Sequence, residues 1–177
     1  MRLLRDRRSR LEGLKWLVAA AILVSGITVW ATPPLGFVVN QILATGVAPR
    51  GIGQHMQVFK NPDGSFSPWL LNLQVLGDTD YYSQHLVLSA GGYSGWHSHP
   101  GLLVGAVTAG QIDFYDARCQ KRTIGAGQVF TENDDVHAII NVGTVDADLN
   151  ISYLVKHGSP RRRDEAAPAC APETGIP

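Results

Sequence analysis

The chain has 177 residues, 45% of them hydrophobic, with 15 basic and 15 acidic side chains. That length supports one domain with a buried core and is short for two. Six basic groups crowd the first 31 residues beside Asp6 and Glu12, leaving the body with nine basic and thirteen acidic groups, a net charge of −4. A body of this sign has no basic stripe to neutralise phosphates, which excludes nucleic acid as a partner.

In chain order, Arg2, Arg5, Arg7, Arg8, Arg10 and Lys15 lead into the apolar run "LKWLVAAAILVSGITVWA", which "TPP" breaks. This is the layout of an export signal, and Val29 and Ala31 satisfy the small-x-small rule for cleavage before Thr32. Residues 1–31 are therefore expected to be a signal peptide or membrane anchor, and the protein exported, periplasmic or extracellular. The alternative is an anchor formed by residues 14–30, at the short end of what spans a ~30 Å hydrocarbon core. The membrane is a partner only through this segment if it stays uncleaved. Arg7-Arg8 reads as ordinary n-region charge rather than a twin-arginine signal.

Beyond it, short apolar and β-branched segments alternate with Gly, Asp and Asn turns, with no sustained 3.6-residue period. The pattern predicts an all-β domain over 32–157, with strands at 37–44, 69–76, 82–88, 102–108, 111–116, 128–131, 137–141 and 148–155. Turns are expected at "NPDGS", "GDTD", "AGG", "AG", "ENDD" and "NVGT". "GxxxG" at Gly101–Gly105 lies in a strand pattern and is no membrane-helix motif. Residues 158–177 have no apolar pattern and read as an irregular tail, with the Arg161–Arg163 run solvated beside "DE". Cys119 and Cys170 are the only cysteines. In an exported chain an even count leaves no orphan, so they are expected to form a disulfide tethering the tail.

"GWHSHPG" at Gly95–Gly101 places His97 and His99 two apart, the spacing at which a strand presents both imidazoles to one face. His137, near the start of a later strand, can complete a three-imidazole set for a divalent metal. Trp96 should point away and pack, and Pro100 should end the strand. Asp113 and Tyr115 are candidate catalytic partners. His55, His85 and His157 read as surface or edge residues. No phosphate loop, dinucleotide fingerprint, nucleophile elbow or Cys-x-x-Cys is present.

The spacing around these histidines resembles that of the cupin superfamily. Gly91, five residues, His97-Ser98-His99, three residues, Leu103, six residues and Gly110 reproduce its first motif, with Leu103 where the family carries glutamate. Gly127, His137 and Asn141 reproduce the second, over residues 91–141 in all, with a turn one residue short and Glu132 in place of proline. Asn133 and Asp134, which tolerate left-handed backbone angles, are expected to make that tighter turn.

The resemblance implies a double-stranded β-helix, or jelly-roll barrel, with a divalent metal (Fe, Mn, Zn or Ni) on His97, His99 and His137. It also implies a small-molecule ligand and a homodimer. Because leucine cannot ligate, the implied set is neutral and carries no protein anion, similar to that of thiol dioxygenases. Two alternatives stand beside the metal-binding reading: a ligand-binding or sensory cupin without a functional metal, and a three-histidine dioxygenase-like oxidoreductase.

Overall fold

The computed structural model describes residues 31 to 177 apart from Ile52, and of 53–60 and 66–71 the backbone alone. Of the expected signal or anchor, residues 1–31, all but Ala31 lie outside the described residues. Among those described, no helix is long and apolar enough to cross a membrane.

Twelve strands follow in order: β1 Leu35–Ala48, β2 Gly53–Lys60, β3 Phe66–Gln74, β4 Thr79–Tyr93, β5 His97–Ser98, β6 Gly101–Ala109, β7 Gln111–Asp116, β8 Lys121–Gly125, β9 Val129–Glu132, β10 His137–Ile140, β11 Ala147–Lys156 and β12 Arg163–Asp164. One layer is ordered β1-β4-β11-β6-β9 and the facing layer β8-β7-β10-β5-β12. All pairings are antiparallel, and Ile140 against Tyr93 joins the layers through β10 and β4. Together they make a nearly closed barrel, the cupin-like double-stranded β-helix. The hairpin of β2 and β3 is a separate two-stranded sheet, turned at Asn61–Ser65 by an Asp63 carboxylate that accepts from the Ser65 amide at 2.9 Å.

Strand alternation builds the core. In β11 every second residue from Ala147 to Val155 is buried, which puts Leu149, Ile151, Tyr153 and Val155 on the inner face. Leu86 and Leu88 of β4 and Leu103 and Val107 of β6 meet them, and Ile112, Phe114 and Ile139 close the core from the facing layer. In the layer that holds β4 and β9, two inner-face positions near one end break the apolar rule: Gln84 is 1% exposed and Glu132 6%. Buried polar groups demand partners, so these two mark where the interior changes character.

The tail, short in regular structure, docks on the barrel. β12 pairs with β5, Arg163 opposite Ser98 and Asp164 opposite His97, and Ala166 bridges to Ala31. A 3₁₀ turn at Ala171–Glu173 follows. Ala171 and Ile176 join Trp96, Ala138 and Ile140 in a second apolar cluster, outside the barrel proper. Thr32 donates to the Pro177 carbonyl, and a disulfide joins Cys119 to Cys170. The sequence conceals this because the apolar positions of the tail are few and aperiodic, and the two that are buried, Ala171 and Ile176, pack against Trp96, Ala138 and Ile140.

Candidate metal centre

His97 on β5 and His137 on β10 are cross-strand partners, and their rings lie 4.4 Å apart. His99, just beyond β5, places its ring 4.9 Å from His97 and 5.2 Å from His137. The chain turns into this segment at Gly95, whose φ of +69° and close approach to the Thr32 carbonyl leave no room for a Cβ. Ser98, between the two histidines, points the other way and donates to Glu165 at 2.7 Å.

Each histidine has one ring nitrogen committed to a backbone carbonyl. His97 Nδ1 donates to Gly95 at 2.9 Å, His99 Nδ1 to Arg161 at 2.8 Å and His137 Nδ1 to Asp135 at 2.7 Å. A carbonyl only accepts, so these bonds place a proton on Nδ1 in all three rings and turn the Nε2 atoms inward.

A fourth group meets them. Glu132, the last residue of β9, sets Oε2 3.0 Å from His99 Nε2 and 3.3 Å from His137 Nε2. One ligand atom from each of His97, His99, Glu132 and His137 lies within 4.8 Å of every other, and all four residues are buried. The neutral, anion-free set expected from Leu103 is therefore corrected: the centre holds a carboxylate, delivered from the neighbouring strand. Leu103 and Glu132 are paired in register, so both face inward. The tight turn that follows is not left-handed either. Cys119 is the only non-glycine residue with positive φ among those described, and the turn closes instead through Asn133 Oδ1, which accepts the Asp135 amide at 2.9 Å.

Electrostatics bind the four together. Burial alone would raise the Glu132 carboxyl, but the charge of His137 beside it and the hydrogen bond to His99, with His97 behind, hold it well below the usual carboxylate range. Burial works against a charge on His137 as well, yet the Glu132 carboxylate outweighs it and raises that histidine above 6.5. His97 is pushed well below 6.5 by burial and stays neutral. His137 Nε2 is buried and makes no hydrogen bond, an orphan that a metal bond would satisfy.

A cavity of about 80 Å³ opens beside this group. Tyr153, whose hydroxyl burial pushes up to about 12, donates to Gln84 Oε1 at 2.6 Å. Arg161 donates to the same oxygen at 2.5 Å and to the Tyr153 hydroxyl at 3.1 Å. Gln84 Nε2 in turn donates to Asn40 at 2.5 Å. Arg162 also lines the cavity, donating to the Ser94 carbonyl at 2.7 Å. The arginine run is thus not a solvated tail feature, since two of its three members reach the centre.

The other candidates lie elsewhere. Phe114 takes the inner face of β7, stacked 5.6 Å from the His137 ring, and alternation turns its neighbours outward. Asp113 is held by Lys121 at 3.1 Å and Thr123 at 2.5 Å, and Tyr115 packs on the Trp96 cluster. Trp96 is fully buried there, away from the histidine group. His85 bonds Asp148 at 3.0 Å and His157 bonds Asp80 at 2.6 Å. The His55 side chain lies outside the described residues.

No protein-family model matches the sequence, and no curated protein is similar to it. Solved structures are. An oxalate oxidase in complex with the substrate analogue glycolate matches at 20% identity and a TM-score of 0.42, over 48% of this chain and 45% of that one. A cupin-like protein from Thermotoga maritima matches at 19% identity and TM-score 0.41, over 49% and 65%. A Klebsiella pneumoniae protein with a double-stranded β-helix domain matches at 17% and 0.42, over 48% and 75%. This chain spans less than half the length of the oxalate oxidase chain.

Proposed function

We propose that the barrel is a metal-binding cupin whose divalent ion is held by His97, His99, His137 and Glu132 and whose adjoining cavity takes a small-molecule ligand. The observation that carries this is the common orientation of the three imidazoles: each Nδ1–H is spent on a backbone carbonyl, the Nε2 atoms of His99 and His137 meet one carboxylate, and His97 offers a ligand atom within 4.8 Å of the others. Three nitrogens and one oxygen suit Fe, Mn, Zn or Ni, and the carboxylate offsets part of the ion's charge. When bound, such an ion supplies Lewis acidity toward a ligand in the cavity. Glu132 removes the ground for likening the site to three-histidine dioxygenases, which rested on the want of a protein anion.

Binding, rather than proton-transfer chemistry, is the better supported role. The Tyr153 hydroxyl stays protonated to about 12 and is engaged with Gln84, and Asp113 is paired on the outside of the barrel. The disulfide further supports an oxidising compartment, in keeping with export.

Metal analysis of the purified protein beside a His97→Ala/His99→Ala variant tests the reading. The expected result is about one equivalent in the parent and a trace in the variant; equal contents would overturn it. Oxygen uptake by the iron-loaded protein across thiols, diketones and phenols tests the oxidoreductase alternative, and turnover of any of them would replace the binding role with an enzymatic one.

A further inference from the structure

We propose that the ligand of this cavity is a small carboxylate anchored by Arg161, a residue that the C-terminal tail delivers; the proposal rests on the metal-site reading above. The charges come first. Arg162 is paired with Asp164 at 2.7 Å and Arg163 with Asp134, whereas among the described residues no carboxylate pairs with Arg161. An unneutralised guanidinium on the wall of a small cavity, beside a centre where a divalent ion outweighs the single charge of Glu132, selects an anion.

The guanidinium is also held in place for the task. It lies over the Tyr153 ring, 5.1 Å from the centroid, and spends Nη1 on Gln84 and Tyr153. Among the described residues Nε and Nη2 have no partner, and that side of the fork matches the two oxygens of a carboxylate.

The remaining walls decide between anions. Leu86, Leu103, Ile139 and Ile151 line the cavity together with these polar groups. A tetrahedral oxyanion would bring at least one oxygen against them without a hydrogen bond, losing hydration that nothing replaces. A carboxylate carries both oxygens on one side and can give its carbon body to the leucines and isoleucines. With about 80 Å³ available, that body is short. Arg161 thereby does two things at once: its carbonyl orients His99, and its side chain reads the ligand.

The test uses the full chain loaded with Co²⁺, whose visible spectrum reports ligand exchange, titrated with acetate and propionate and, as controls, inorganic phosphate and acetamide. Saturable changes are expected with both carboxylates, none with acetamide, and binding at least about tenfold weaker with phosphate. Arg161→Gln should keep its cobalt, because the backbone carbonyl on His99 is untouched, and bind propionate at least about tenfold more weakly; Arg161→Lys should fall between. Propionate affinity in Arg161→Gln within about twofold of the parent, or equal binding of acetamide or phosphate, would overturn the proposal. If circular dichroism shows Arg161→Gln unfolded, Arg161→Lys decides alone, and parental affinity there counts against the anchor. Absence of cobalt from the parent would instead remove the metal reading. The thermal shift given by propionate to the metal-free chain then decides: a shift that Arg161→Gln loses upholds the anchor, and no shift, or one that the variant keeps, rejects it.

Discussion

Leu103 and Glu132 stand directly opposite each other across β6 and β9, both turned into the barrel. Neighbouring strands lie about 4.8 Å apart, so a carboxylate moved from one to the other still reaches the same three imidazoles. Glu132→Leu should lower metal affinity by at least about 10- to 100-fold, on the scale seen when groups around a metal are removed. Adding Leu103→Glu to that variant should recover most of the loss, since the anion returns to the same cross-strand row from the other strand. Competition against a chelator measures both, and a double variant no better than Glu132→Leu would show the two positions are not interchangeable.

Metal loading should depend on pH through His137. Its pKa is raised above 6.5 by the Glu132 carboxylate, so the metal-free site keeps a proton there to higher pH than a free imidazole would, and the ion must displace it. Apparent affinity should climb as pH rises from about 6 and level off above the His137 pKa. In Glu132→Gln the charge that raises this pKa is gone. The curve should move to lower pH while its plateau falls, and an unshifted midpoint would sever the coupling between the two residues.

The Cys119–Cys170 bridge closes a separation of 51 residues, worth about 4 kcal/mol on chain-entropy grounds. Cys119→Ser/Cys170→Ser should lower the melting temperature and, because the tail carries the carbonyl that orients His99, weaken metal binding as well. Parallel melts and metal titrations, with and without reductant, check this. Stability lost with metal affinity intact would mean the tail holds its place without the bridge.

Ile176 is 1% exposed, one residue before Pro177, packed with Trp96 and Ala171. Ile176→Ala should cost about 2–5 kcal/mol, the range for truncating a buried isoleucine, where a solvated tail would register nothing. Chemical denaturation gives the number directly.

Much of the barrel was legible because its strands alternate: β7 falls at 111–116 as expected, and β11 extends the expected 148–155 by one residue at each end. β8 was missed because "KRTIG" has too few apolar positions to alternate, and β5 and β12 because each is only two residues long. The histidine group was legible from spacing, whereas Glu132 was not. It opens "ENDD", which reads as a turn, and the strand was expected to stop at residue 131, although β9 runs one residue further. The clue was the residue type itself: a carboxylate within the turn between the expected strand and His137.

The hydrogen bond from His99 to the Arg161 carbonyl imposes an order on manufacture. The four buried residues of the candidate centre are all synthesised by position 137, but the carbonyl that orients His99 belongs to a stretch made some two dozen residues later, which docks against β5. A chain interrupted before Arg161 lacks the contact that turns His99 toward its partners, so under the proposed function metal uptake should begin only once synthesis has passed this point.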